Sequence, residues 1–420
     1  MQGLHFSHKL TGHSTGPHSA SRLQSESLFY RAQIWLMTAI CFVLPMKVSF
    51  TYVLSAFLLT IWIVEGGLVE KFRKIKSSKL CLAFAAYYLA FLLGMLWTED
   101  ISAGWRMVDR QTPFLLFLLY WSCTDPKYRE RYILAFIAGV ALCALLAHYN
   151  FLQLHVFPDW PRGVRVFKGS LDTGPFLDRI LYTPILALGA YFCIRRLLVA
   201  SGVIERIGMA AISCLLISNL VFSGGRTGMV MFAAMCIALI FERIKPKLKA
   251  LLLCAVLSSL FFGGIFSFGN YFAVRVSEGV SDLQNFQNNQ NTPVGQRLVY
   301  WATSFMLFMQ NPVIGVGSGD FQQEYARIKP KQWESTPDSF NPHNQFLMTA
   351  TTTGVIGLGL LLYIFYCATR LASDPRMYAV LIGFAVVCIF ESYLWRSNTA
   401  LTFAVMLVLL TNRDVGVPQR

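Results

Sequence analysis

NPHNQFLMTATTTGVIGLGLLLYIFYCATR, residues 341–370, sets His343 at the mouth of an apolar run and Arg370 beyond its end. The run from 345 to 368 is long enough to cross a bilayer as a helix, for which about 20 residues suffice. Working outward, similar runs recur along the whole chain, at about 30–46, 49–68, 80–97, 111–123, 132–150, 179–199, 207–222, 227–242, 249–269, 377–395 and 397–412. With the quoted run they make twelve. The reading is therefore an all-α integral membrane protein of about twelve transmembrane helices.

Composition supports this reading. Of 420 residues, 55% are hydrophobic and 14% charged, against roughly 25% charged in ordinary soluble domains. The net charge of +14 raises the question of nucleic acid, but its placement answers it. From a cytoplasmic N-terminus, the tail, Lys71–Lys79, Lys127–Arg131, Arg195–Arg206, Arg243–Lys249, Arg370–Arg376 and the C-terminal tail all fall on one side. Together they hold 22 of the 36 Lys and Arg. That asymmetry orients both termini inside and assigns the charge to topology rather than to nucleic acid.

The chain then divides into a polar tail (1–29), nine spans with an outer loop at 151–178 (30–269), a large outer loop (270–344), three spans (345–412) and a short tail (413–420). The first tail has no apolar core ahead of a small-residue cleavage site and does not read as a signal peptide. The ten cysteines sit in or beside predicted spans, without spacing for disulfides or a cysteine metal site. No HExxH or paired-carboxylate pattern marks a metal site, and no cofactor is expected. In the large loop, Thr292 and Pro293 read as N-cap and first turn of a helix ending near Asn311 and Pro312. A second helix is expected near 321–328, after the turn GVGSGD. A nucleotide-binding glycine pattern needs a preceding strand, and this turn has none.

Three basic side chains share one design on the outer side. Arg226 follows Gly224 and Gly225 at a span start; Arg297 lies in the first turns of the loop helix; His343 follows Asn341, read as N-cap, and Pro342, read as first turn. Helix N-termini present unpaired N–H groups and partial positive charge, which favour phosphate, and arginine adds planar bidentate donors. Singly, each has an ordinary alternative: an interfacial anchor for Arg226, an ion pair with Glu278 or Asp320 for Arg297, capping or packing for His343. Together they read as a phosphate or pyrophosphate site. Arg162, Arg165 and Lys168 in the first outer loop extend it as candidates, with Asp159, Asp172 and Asp178 as local competitors. Arg275 and Asn344 complete the substrate-binding set. Glu391, a carboxylate near a span, requires a partner or a water-filled cavity.

The sequence SGGRTG opening one span, QRLVYW in the loop helix, NPVIGVGSGDF, and NPHNQFLMTATTTGVIGLG opening a later span together resemble the bacterial O-antigen ligase family. That group extends to O-antigen polymerases and O-linked oligosaccharyltransferases. The resemblance implies a C-type glycosyltransferase fold in the bacterial inner membrane with a periplasmic active site. It implies transfer of O-antigen glycan from undecaprenyl diphosphate to a sugar hydroxyl of lipid A-core, with inversion and without metal. By residue match, Arg226 and Arg297 then stabilise the leaving diphosphate. His343 is a candidate general base or orienter of the hydroxyl, and a helix N-terminus is expected to bias it toward neutral imidazole. An O-antigen polymerase or oligosaccharyltransferase shares the donor chemistry. A lipid or glycan transporter is the rival of another class, against which stand the lack of a clear inverted repeat and the scarcity of charges deep in the spans.

Overall fold

The computed structural model describes residues 28–165, 172–268 and 270–411. Their regular elements are helices, here numbered in chain order. The first nine are α1 (Leu28–Val43), α2 (Val48–Val64), α3 (Leu68–Ser77), α4 (Lys79–Leu93), α5 (Ile101–Arg110), α6 (Thr112–Cys123), α7 (Arg129–His155), α8 (Arg179–Val199) and α9 (Val203–Phe222). They continue with α10 (Arg226–Arg243), α11 (Lys247–Phe268), α12 (Asn270–Gln284), α13 (Pro293–Gln310), α14 (Phe321–Ile328), α15 (Gln345–Arg370), α16 (Arg376–Phe390) and α17 (Ser397–Leu410). Local polar residues set several starts. The Asp178 carboxylate accepts from the backbone of Ile180 and Leu181 at 2.8 and 3.0 Å to open α8, and Asp100 accepts from Ala103 at 2.8 Å to open α5.

Five described helical stretches are long and apolar enough to cross a membrane: Lys79–Trp97, Pro126–His155, Arg179–Val199, Val203–Phe222 and Gln345–Arg370. Helices α1, α16 and α17 are apolar but shorter. The chain is thus a membrane protein of helices, with fewer full-length crossings on this criterion than the twelve runs read from sequence. Two of those runs are corrected at their ends. The run 49–68 stops at Val64, because Gly66 and Gly67 take φ of 76° and 65°, and the chain bends by 117° into α3. The run 377–395 stops at Phe390, where Glu391 leaves the helix in an extended conformation.

The packing has a centre. Helix α17 is buried from Asn398 to Leu410, as expected of a helix apolar on every face. It packs against α6, α8 and α16. Beside it, α4, α6 and α17 interlock through Phe84, Phe117 and Phe403, with the first two rings stacked at 3.7 Å. At the other extreme, α9 leaves Ile204, Ile207, Val221 and Phe222 exposed, the apolar surface that lipid covers.

The large loop contains the two expected helices, α13 and α14, and a third, α12, that the Asn/Gln-rich sequence did not announce. The Thr292 hydroxyl accepts from Gly295 N at 3.1 Å, the expected cap of α13. The loop is built into the helical body. α13 packs on α15, Ser318 donates to the carbonyl of Phe91 at 2.6 Å, and the Asp320 carboxylate accepts from the backbone of Glu99 and Asp100 at 2.8–3.0 Å.

Helix α15 is broken where the loop meets it. Gly354 sits at φ 65°, ψ −163°, a conformation essentially confined to glycine. A Cβ there would lie 2.1 Å from the carbonyl oxygen of Val313. The hydrogen bonds lost at the break are replaced from the loop. Val316 and Gly317 donate to Thr351 and Thr352 at 2.9 and 3.2 Å, and Val355 donates to Pro312 at 2.8 Å. Irregular backbone inside a membrane protein persists only where protein satisfies it in this way. GVGSGD is thereby explained as the strip that completes a broken helix.

Candidate functional site

The site is assembled where the end of the large loop meets the 391–396 segment between α16 and α17. His343 precedes α15 and is the one non-glycine residue among those described with positive φ, at 52°. Its backbone N–H donates to Asn341 Oδ1 at 2.9 Å, which holds the turn. The expected capping pattern is corrected here. Asn344, not Asn341, is the N-cap of α15, and its Oδ1 accepts from Phe346 and Leu347 at 3.0 and 3.1 Å. An Asn at this position stops the helix short of His343 and leaves the imidazole outside it.

Glu391 is the partner that sequence reading left unassigned. Its carboxylate is 2% exposed. One oxygen lies 2.7 Å from His343 Nδ1; the other accepts from Asn341 Nδ2 at 2.9 Å and from Ser392 N at 3.0 Å. Arg396 Nη2 stands 4.0 Å away. Burial by itself pushes the Glu391 carboxyl up, but His343, Arg396 and Asn341 outweigh it and hold the carboxyl below its ordinary value. An ionised carboxylate only accepts, so the short contact puts a proton on Nδ1 and leaves Nε2 with its lone pair when the ring is neutral. The expectation that a helix N-terminus governs this ring is therefore revised. The dominant neighbour is a buried anion held against Nδ1.

Two further elements close on this pair. Tyr300 of α13 stacks beside His343, with ring centres 5.7 Å apart at 25°. Arg297 stands one turn earlier on the same helix and is partly buried. Tyr393 donates to the carbonyl of Ile180 at 3.0 Å and also engages the Thr227 side chain, while the Arg297 charge reaches it electrostatically. Thr227 adjoins Arg226, the exposed first residue of α10. That helix start is seated on α8 because Gly225 and Gly228 have no side chains. A Cβ on either would lie within 2.6 Å of Thr183. Tyr393 thus ties the 391–396 segment to the starts of α8 and α10 and lies within electrostatic reach of Arg297, although these elements are far apart in sequence.

The remaining candidates lie elsewhere or are otherwise engaged. Arg162 and Arg165 occupy the segment after α7, which is held by Asn150 Nδ2 donating to Val164 O at 2.8 Å. Among the described residues no hydrogen bond or ion pair joins either to the His343 cluster. Lys168 and the side chain of Arg275 lie outside the described residues. Asn344 Oδ1 is occupied with capping.

Residues that sequence reading did not connect are Tyr300, Asn341 as the turn holder, Tyr393 and Arg396. Their signals were weak individually. Tyr300 lies three residues after Arg297, and Glu391 and Arg396 bracket a short interruption between two apolar runs.

Comparison with known proteins was informative over one part of the chain. Residues 211–362 match the family described as O-Antigen ligase, and no curated protein matches. The matched segment runs from α9 to the second half of α15 and includes Arg226, Arg297 and His343. It bears out the family resemblance read from the sequence, and it stops before Glu391.

Proposed function

We propose, on the premise of that O-antigen ligase segment, that the chain is a polyprenyl-diphosphate-dependent glycosyltransferase that passes O-antigen glycan to a sugar hydroxyl of lipid A-core. In this reading the acceptor hydroxyl loses its proton to His343 Nε2 as its oxygen attacks the anomeric carbon. Glu391 holds the ring and balances the imidazolium. The bond from the anomeric carbon to the diphosphate oxygen breaks, and Arg226 and Arg297 receive the charge that develops there. Attack from the face opposite the leaving group inverts the centre. The donor is undecaprenyl diphosphate-linked, the site faces the periplasm of the inner membrane, and the apolar helices make the twelve crossings of a C-type glycosyltransferase-like fold.

The observation that carries this reading is the 2.7 Å contact between His343 Nδ1 and a buried carboxylate. A histidine that merely anchored a loop would have no need of an ion buried at such cost. Purified full-length chain given a polyprenyl-diphosphate glycan and lipid A-core tests it. Glycan appearing on lipid A-core supports a ligase. Extension of the donor into longer chains would instead identify a polymerase, and the absence of both products from folded protein would contradict glycosyl transfer.

A further inference from the structure

The 391–396 segment has a second face. Where Tyr393 points toward Thr227 and Ile180, Trp395 borders a cleft of about 260 Å³ between α5 and the large loop. This volume is close to the lower end of ligand pockets, about 300–1,000 Å³. Arg106 and Arg110, one turn apart on α5, line it together with Gln322, Phe340 and Trp395.

The cleft is positively charged and poorly neutralised. The Arg110 guanidinium lies 3.8 Å from the Trp395 ring centre, and Arg396 lies 5.0 Å from the same ring. Among the described residues neither Arg106 nor Arg110 forms an ion pair. Arg396 reaches Glu391 only at 4.0 Å, and its Nε is buried without a hydrogen-bond partner. Burial, then the charges of Arg396 and Arg106, press the Arg110 pKa below its ordinary value, with only Asp109 opposing. Two guanidiniums on one indole, with Arg106 beside them in the cleft, repel one another, and a bound anion relieves that repulsion. Phe340, 54% exposed, offers an apolar ring beside the anion donors and packs on Trp395 at 5.9 Å. The combination suits a sugar that carries a phosphate.

A two-substrate transferase requires two subsites, and the 391–396 segment has a basic zone on each side. Arg226 and Arg297 are taken by the donor diphosphate in the function proposed above, on which this inference rests. We infer that Arg106, Arg110 and Arg396 form an acceptor-side anion site that holds a phosphate group of the acceptor glycolipid, with the adjoining sugar over Phe340 and its hydroxyl directed toward His343.

The test uses full-length protein in detergent, lipid A-core with its phosphates, and the same lipid after phosphatase treatment. Binding is measured directly to the His343→Ala chain, which separates affinity from turnover, with and without Arg106→Gln. Removal of the lipid phosphate and Arg106→Gln are each expected to weaken binding about tenfold, the scale of one charge-assisted hydrogen bond, and the two losses should not multiply. In the transfer assay with His343 intact, Arg106→Gln and Arg110→Gln should raise the acceptor KM by a similar factor with the donor KM preserved. Arg106 is exposed, so its variant avoids the packing that Arg110 makes on Trp395. A rise in donor KM instead, equal binding of both lipids, or displacement by phosphatidylglycerol micelles as readily as by phosphorylated acceptor would overturn the site. Phosphate-dependent binding without any transfer by the wild type would leave the site standing and reject the transferase reading. Transfer indifferent to acceptor phosphate would do the reverse.

Discussion

His343 and Glu391 illustrate what one residue pair requires of a fold. The histidine is placed outside its helix by the Asn344 cap, turned into the left-handed region by the Asn341 side chain, and fixed at Nδ1 by a carboxylate 48 positions away. The histidine was legible in the sequence because a polar residue at the mouth of an apolar run is conspicuous. Its partner was not, because pairing across that separation is decided by where α16 ends. Replacement Glu391→Gln keeps the size of the side chain and removes its charge. Transfer is expected to fall by about 10²-fold or more, the scale of a general base, in a rate measurement at saturating substrates. Stability follows with its own sign. A carboxyl held below its ordinary value contributes stability that is present above the unfolded pKa and lost as pH falls through the folded one. The melting-temperature gap between wild type and Glu391→Gln should therefore be widest near neutrality and close below pH of about 4.

At the scale of elements, the broken helix α15 and the strip that repairs it form one unit. The sequence announced the length of α15, the caps of α13 and the approximate position of α14, all of which rest on local chemistry. It did not announce the break. Gly354 is one of several glycines in the run, and only the approach of Val313 shows why this one must bend. The same long-range contact explains GVGSGD, which pattern reading took only as a glycine-rich turn and whose residues serve backbone pairing in the fold. Gly354→Ala combines a forbidden backbone region with a clash, and is expected to cost about 3 kcal/mol or more of stability. Thermal unfolding in detergent measures this. An unchanged melting temperature would mean that α15 runs straight through.

For the whole molecule, the buried helix α17 and the α4 and α6 interlocked with it set a frame beside which the 391–396 segment carries a basic zone on each side. Apolar runs made the membrane class legible, because lipid acts on composition directly, and basic-residue asymmetry supplies the orientation that labelling tests. The arrangement of helices around α17 was not legible, since every run is apolar on most of its surface. Single cysteines introduced at Lys331 and Lys245 in a cysteine-free chain test the orientation. A membrane-impermeant maleimide applied to intact cells should label the first and not the second, and the opposite pattern would invert the account.

The central claim is that His343 takes a proton during glycan transfer. The rate of glycan transfer to lipid A-core by His343→Gln, measured beside wild type on protein of equal melting temperature, tests it most directly. The account predicts a loss of at least about 10²-fold. A variant that transfers at near the wild-type rate would show that the histidine only shapes the loop.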